Sequence, residues 1–118
     1  MSDRFWAELQ TLVATHDVVI DRPAGSRHPD FAETVYRHDY GELVGSSAND
    51  GEPIDVFLGS GDRASVCALV VIFDPVKSQI EPKLVLGAVG GELDEIVHFL
   101  ETDMHLPVLR IDRPDGSC

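Results

Sequence analysis

Apolar residues recur every three to four positions at two places in the chain, and both places are predicted to be α-helices. Near the amino terminus the recurring residues are Phe5, Leu9, Leu12 and Val13. This helix is expected over Asp3–Thr15, with Ser2 or Asp3 as its cap. Near the carboxyl terminus the recurring residues are Leu93, Ile96, Val97 and Leu100. The second helix is therefore expected over Glu92–Leu100, with acids in its first turn where the helix dipole favours them.

Short apolar and β-branched runs lie between and around these helices, and turn residues separate them. The expected strands are Val18–Ile20, Thr34–Tyr36, Leu43–Val44, Ile54–Leu58, Ser65–Phe73, Glu81–Leu86 and Leu106–Ile111. Gly59–Asp62 is expected to be a tight turn between the fourth and fifth of these strands. The run Cys67–Phe73 is expected to be a strand buried on both faces, since it is too short to cross a membrane. The pattern predicts a mainly β chain with flanking helices, which suggests a small β-barrel.

The length and the net charge of the chain indicate how many domains it has and which partners it can bind. The 118 residues are expected to form one domain over positions 1–118. The formal net charge of −12 disfavours binding to nucleic acid or to an anionic membrane, and it is compatible with a site that gathers divalent cations. A small anion would then have to arrive with a metal ion or meet a local basic patch.

Two cysteines, Cys67 and Cys118, are expected to make no disulfide framework. No signal peptide and no membrane-spanning run are recognisable, which predicts a reducing cytoplasm. The tail from Asp112 to Cys118 is expected to be frayed.

Candidate functional residues are most concentrated in Tyr40–Asp55, and this stretch ends in the acids Asp50, Glu52 and Asp55. Gly51 and Pro53 between them predict a tight turn that feeds the strand Ile54–Leu58. Three carboxylates aimed into one pocket repel each other unless a cation lies among them, and their oxygens suit Mg²⁺ or Mn²⁺. An acidic, solvated loop is the alternative interpretation. An EF-hand is excluded, because its first, third and twelfth positions would be Ser46, Ala48 and Phe57.

Two blocks of this sequence resemble the soluble family I inorganic pyrophosphatases. The first is the Asp-Gly-Glu-Pro-Ile-Asp segment at 50–55, which follows a Tyr-Gly pair at 40–41 by ten residues. The second is Glu81-Pro82-Lys83 ahead of an apolar run, and the resemblance covers roughly Val18 to Gly87. It implies an oligonucleotide/oligosaccharide-binding type of barrel, closed or partly open, with a site at its mouth.

The resemblance also implies an activity, which is Mg²⁺-dependent hydrolysis of pyrophosphate to two phosphates. Glu52 would hold the attacking water and take its proton. The metal ligands would be Asp50, Glu52, Asp55, Glu81 and Asp74. The substrate-binding residues would be Tyr40, Lys83, Arg27 and Tyr36, and Asp21 would be a strand-end acid close to the metals. Family members commonly self-associate, and the terminal helices could either pack on the barrel or join subunits.

Some residues depart from the family pattern. The middle acid is Glu52 where the family has Asp, and Glu42 stands where it has an aromatic residue. No Tyr follows Tyr40 and no Lys follows Lys83, so the late Tyr-Lys pair that binds phosphate in the family is missing. These departures favour an alternative, in which the protein binds a divalent metal or a phosphorylated ligand without catalysis. A structural barrel with an acidic loop, binding no metal, is a third interpretation.

Overall fold

A six-stranded mixed β-sheet forms the centre of the computed structural model, which describes residues 3–116 and residue 118. The strands are β1 (Val18–Arg22), β2 (Asp39–Leu43), β3 (Ile54–Leu58), β4 (Val66–Asp74), β5 (Gln79–Leu86) and β6 (Val108–Asp112). The helices are α1 (Asp3–Thr15) and α2 (Glu92–His98), and a π-helical turn over Phe99–Asp103 continues α2. The chain is thus mainly β with flanking helices, as its apolar pattern predicted.

The strands lie in the order β1-β2-β3-β5-β4-β6. Only β3 and β5 pair in parallel, and all other neighbours are antiparallel. Strands β1 and β6 are edges, so the sheet is open and agrees with the partly open alternative. The tight turn expected at Gly59–Asp62 is wrong: β5 lies between β3 and β4, and the loop that joins those two strands runs from Gly59 to Ser65.

Each face of the sheet carries its own apolar core, because side chains alternate between the faces along each strand. The core beneath α1 contains Trp6, Val13, Leu43, Val56, Leu58, Val66, Leu84 and Leu86. The core beneath α2 contains Tyr36, Phe57, Cys67, Ala68, Val70, Ile72, Val85, Ala88, Ile96, Phe99 and Leu100. The apolar face of α1 therefore packs on its own sheet, which was one of its two expected roles.

Several expected boundaries hold and others move. The first helix and the strand Ile54–Leu58 have the expected bounds, whereas the second helix ends at His98 and passes into the π-helical turn. Thr34–Tyr36 is not a strand, since only Val35 forms an isolated bridge, with Arg27. The strand at Cys67–Phe73 is covered on both faces over most of its length, but Phe73 at its end is 43% exposed.

The carboxyl-terminal tail is attached to the sheet, and the prediction that it frays is wrong for its described residues. Cys67 and Cys118 form a disulfide, contrary to expectation. The Arg113 backbone N–H donates to the Cys67 carbonyl at 2.9 Å, and the Arg113 side chain donates to Gln10 Oε1 on α1 at 2.8 Å. Ser2 and Ser117 lie outside the described residues. In the part of the chain that is described, no helix combines the length and the apolar character needed to cross a membrane.

Candidate functional site

Three charged residues lie side by side on neighbouring strands. Glu42 on β2 pairs with Asp55 on β3, and Asp55 pairs with Lys83 on β5. Because side chains alternate, Asp55 and Lys83 share a face with Phe57 and Val85, the face that α2 covers further along. The sheet therefore holds two carboxylates and one ammonium group in a single row, just beyond the apolar core.

A cleft of about 230 Å³ opens over this row. Its walls are Glu42, Ala48, Asp50, Glu52, Pro53, Asp55, Glu81 and Pro82. Five of these eight residues are acidic, and they come from β2, β3, β5 and the loop before β3. The prediction that one pocket collects the acids at 50–55 agrees with this geometry, and Glu42, which was expected to add an acid near the site, lines the same cleft.

The loop before β3 is held by its own hydrogen bonds. The Ala48 N–H donates to the Glu52 carbonyl at 2.7 Å, and the Gly51 N–H donates to the Ala48 carbonyl at 3.0 Å. The Asp50 carboxylate accepts the Glu52 N–H at 3.0 Å, as Asp commonly does in turns. Gly51 has φ +83°, a backbone conformation that other residues rarely adopt. The expected tight turn is therefore present, and it presents Asp50 and Glu52 at the cleft.

Lys83 is the buried cation of the site and is only 5% exposed. Its ammonium group donates to the Tyr40 hydroxyl at 2.7 Å and to Asp55 Oδ2 at 2.9 Å. Glu81 Oε2 lies 3.8 Å from the same nitrogen. Because a buried charge is tolerated only when it is paired, these partners explain why Lys83 stays beneath the cleft.

Two tyrosines continue the site away from the cleft. The Tyr40 ring lies 5.4 Å from the Tyr36 ring and 4.7 Å from the Phe57 ring, between centroids. Burial, followed by the negative charge of Asp55, raises the pKa of the Tyr40 phenol far above its ordinary value. Burial also raises the pKa of Tyr36, although its hydrogen bond with Arg22 acts in the opposite direction. Both hydroxyl groups therefore keep their protons at neutral pH.

Besides Tyr36, Tyr40 and Lys83, three further predicted site residues do not line the cleft. The Asp74 carboxylate accepts the N–H groups of Val76 and Lys77 at 2.9 and 3.2 Å, within the turn between β4 and β5. Arg27 donates to the Ala32 carbonyl at 2.6 Å, inside its own loop. Asp21 is exposed on edge strand β1, where the pairing with β2 is irregular. Local turns and a strand edge thus account for the position of each of these side chains.

Arg22 is a neighbour of the site that we did not predict. It pairs with Tyr40 in the sheet, and its Nη1 donates to the Tyr36 hydroxyl. No motif distinguishes it in the sequence, because it lies in an ordinary turn-rich stretch after a short strand.

The cleft fits a divalent metal by its chemistry, since five carboxylates offer the oxygen ligands that Mg²⁺ and Mn²⁺ prefer. Within residues 3–116 and 118, however, no three His, Cys, Asp or Glu side chains are already arranged so that they could hold an ion. Asp55 is paired with Lys83, while Asp50 and Glu52 lie on an exposed loop. The candidate ligands are therefore Asp50, Glu52, Asp55, Glu81 and Glu42, which would have to draw together around the ion.

Comparison of the sequence with protein-family models and with curated protein sequences gives no match to either.

Proposed function

We propose that the protein hydrolyses inorganic pyrophosphate to two phosphates with the help of Mg²⁺ or Mn²⁺. The observation that carries this proposal is the cleft itself. Asp50, Glu52 and Asp55 come from one segment and Glu81 from another, yet all four line the same small cavity. Lys83 and Tyr40, the two substrate-binding residues that the sequence motif marks most clearly, contact Asp55 or each other beneath it.

Each residue has a definite role in this proposal. Glu52 is exposed, so it can take a proton from the attacking water. Lys83 uses two N–H donors on Tyr40 and Asp55, which leaves one for a phosphate oxygen. Tyr40, protonated at neutral pH, holds Lys83 in place. A bound Mg²⁺ would supply the remaining chemistry, by neutralising phosphate charge and lowering the pKa of a bound water.

Phosphate release from pyrophosphate is the direct test of this proposal. The purified protein should release phosphate with Mg²⁺ or Mn²⁺ and lose this activity in EDTA. Asp55→Asn should lower both metal affinity and turnover, with roughly a hundredfold loss of rate, because a charged group at the centre of the site is removed. Asp17→Asn is the matched control, since Asp17 is exposed before β1 and lies outside the cleft walls. Unchanged turnover in Asp55→Asn would refute the assignment of the site.

The second candidate function is binding of a divalent metal or a phosphorylated ligand without catalysis. It is favoured by the Lys83–Asp55 pair, which already neutralises one candidate ligand. Calorimetry with Mg²⁺ and Mn²⁺ distinguishes the two candidates. Metal binding without phosphate release from any phosphoanhydride would select the second candidate. The absence of metal binding, both with and without phosphate, would contradict metal-dependent hydrolysis and would leave only the phosphorylated ligand for the second candidate.

A further inference from the structure

Arg22 stands out in this acidic protein by the partners it has. It is half-buried, and its guanidinium carbon lies 5.4 Å from the centroid of the Tyr36 ring and 5.7 Å from that of Tyr40. A cation over an aromatic face is attracted by the ring, so these two tyrosines hold the guanidinium in a fixed position. Only one of its five N–H donors has a partner in the described structure, the Tyr36 hydroxyl.

No carboxylate pairs with Arg22 among residues 3–116 and 118, although the chain has 21 acidic residues. Four other arginines do have such partners, in the pairs Arg37–Asp103, Arg63–Asp39, Arg110–Asp94 and Arg113–Asp115. A half-buried guanidinium without a counter-ion leaves a local excess of positive charge. The positive charge of Arg22 also reaches His28, whose pKa is lowered first by burial and then by this charge.

The same arginine lies beside the candidate site. Lys83 Nζ is 5.0 Å from the centroid of the Tyr40 ring, and Arg22 is 5.7 Å from it. Two cations are therefore gathered around one ring, and one of them reaches Asp55 in the acidic cleft. A ligand with a positive end and an anionic end, such as a metal phosphate, would find both charges complemented within this short distance.

We propose that Arg22 binds a phosphate group of the substrate, with Lys83 beside it and with the metal held in the adjoining acidic cleft. The planar fork of Arg suits two phosphate oxygens at once, and its free donors are available for them. This inference rests on the proposed function. It assigns a replacement for the late phosphate-binding Lys of the family pattern, since no Lys follows Lys83 in this chain.

Binding of methylenediphosphonate, a pyrophosphate analogue that cannot be hydrolysed, tests the inference by calorimetry in the presence of Mg²⁺. Arg22→Gln should bind the analogue about tenfold more weakly or worse, because it loses a charge-assisted hydrogen-bonding group. Arg4→Gln is the matched control and should bind like the wild type, since it makes the same charge change at an exposed position of α1. The affinity of Arg22→Lys for the analogue should lie between those of Arg22→Gln and the wild type, because lysine keeps the positive charge but lacks the planar guanidinium group.

The outcomes separate this inference from the proposed function. Equal binding by Arg22→Gln and the wild type, or no binding by the wild type, would overturn the role of Arg22. Binding that depends on Arg22 without any hydrolysis of pyrophosphate would support the anion site and contradict the enzyme. If the protein hydrolyses pyrophosphate and Arg22→Gln leaves the KM unchanged, the enzyme would be supported and the role of Arg22 contradicted. Circular dichroism checks folding, and if Arg22→Gln fails to fold, wild-type affinity in Arg22→Lys overturns the inference.

Discussion

At the scale of single residues, Lys83 determines what the acidic cleft can do. Its ammonium group is 2.9 Å from Asp55 and is buried, so it offsets part of the repulsion among the carboxylates without any metal. A metal ion that binds Asp55 would share this carboxylate with a nearby positive charge, which lowers metal affinity. The same ammonium group attracts a phosphate. The site should therefore hold a metal together with a phosphate better than it holds a metal alone.

The Tyr40 hydroxyl supports this lysine, and its removal should destabilise the protein. Tyr40→Phe takes away the acceptor 2.7 Å from Lys83 Nζ and leaves a buried ammonium group with fewer partners. We expect the free energy of unfolding to fall by about 1 to 2 kcal/mol. Urea denaturation at neutral pH measures this change.

Tyr36→Phe is the matched control for Tyr40→Phe. It also removes one hydroxyl group from a tyrosine, but the donor it leaves without a partner belongs to Arg22, which is only half-buried, whereas Lys83 is 5% exposed. Its effect on the free energy of unfolding should be smaller. An equal loss in both variants would show that the Lys83–Tyr40 bond has no special importance for stability.

Sequence spacing could predict which acids share the cleft only where the chain itself brings them together. Asp50, Glu52 and Asp55 are close in sequence, so one turn suffices to collect them. Asp74 could not be excluded in this way, because an Asp that caps its own turn looks the same in sequence as a ligand. Arg22 could not be found at all, since its position depends on how β1 pairs with β2.

At the scale of elements, the parallel pairing of β3 with β5 creates the site. It places Asp55 opposite Lys83 and brings Glu81 to the same cleft. Apolar, β-branched runs predicted both strands but not their pairing, because pairing depends on contacts distant in sequence. The chain must cross from β3 through β4 before β5 returns beside β3, and no local pattern distinguishes this path from a simple hairpin.

Glu92 links the loop after β3 to the start of helix α2. Removing its carboxylate should make the stability of the protein depend less on acid pH. Its carboxylate accepts the Val89 N–H at 2.8 Å and the Ser60 N–H at 3.0 Å, and these bonds lower its pKa. A pKa lowered by folding gives stability that is present above the unfolded value of 4.5 and is lost as pH falls through the folded value. Glu92→Gln should therefore lose less stability than the wild type between about pH 5 and pH 3.

Urea midpoints measured across this pH range test the role of Glu92. Hydrogen bonds also lower the pKa values of Asp39, whose first partner is the Ala24 N–H, and of Asp112, whose partner is Arg110. The stability of Glu92→Gln should therefore still fall in acid, although by less than that of the wild type. Glu8→Gln, on the exposed side of α1, is the control and should follow the wild type. A wild-type pH profile in Glu92→Gln would show that the carboxylate contributes no acid-sensitive stability.

At the scale of the whole molecule, the two faces of the open sheet have different roles. The face beneath α1 is an apolar core, whereas the other face is part core and part charged cleft. The disulfide fastens the tail after edge strand β6 to β4, on the side of the sheet away from β1. The sequence could not predict this bond, because the cysteines are 51 positions apart and meet only when β6 pairs with β4.

The disulfide should contribute substantially to the stability of the whole chain. Closing a loop with a separation of 51 residues restricts the unfolded chain, and the chain-entropy estimate of the effect is about 4 kcal/mol. Cys118→Ser should therefore unfold at lower urea concentration, and reductant should lower the midpoint of the wild type but not that of the variant. Cys118 is the better position to change, because Cys67 is 4% exposed and replacing it would also disturb the core.

Thiol titration of the denatured, unreduced protein checks that the disulfide is present, and two free thiols would contradict the bond. If the bond is present but the variant matches the wild type, the hydrogen bonds of Arg113 alone hold the tail.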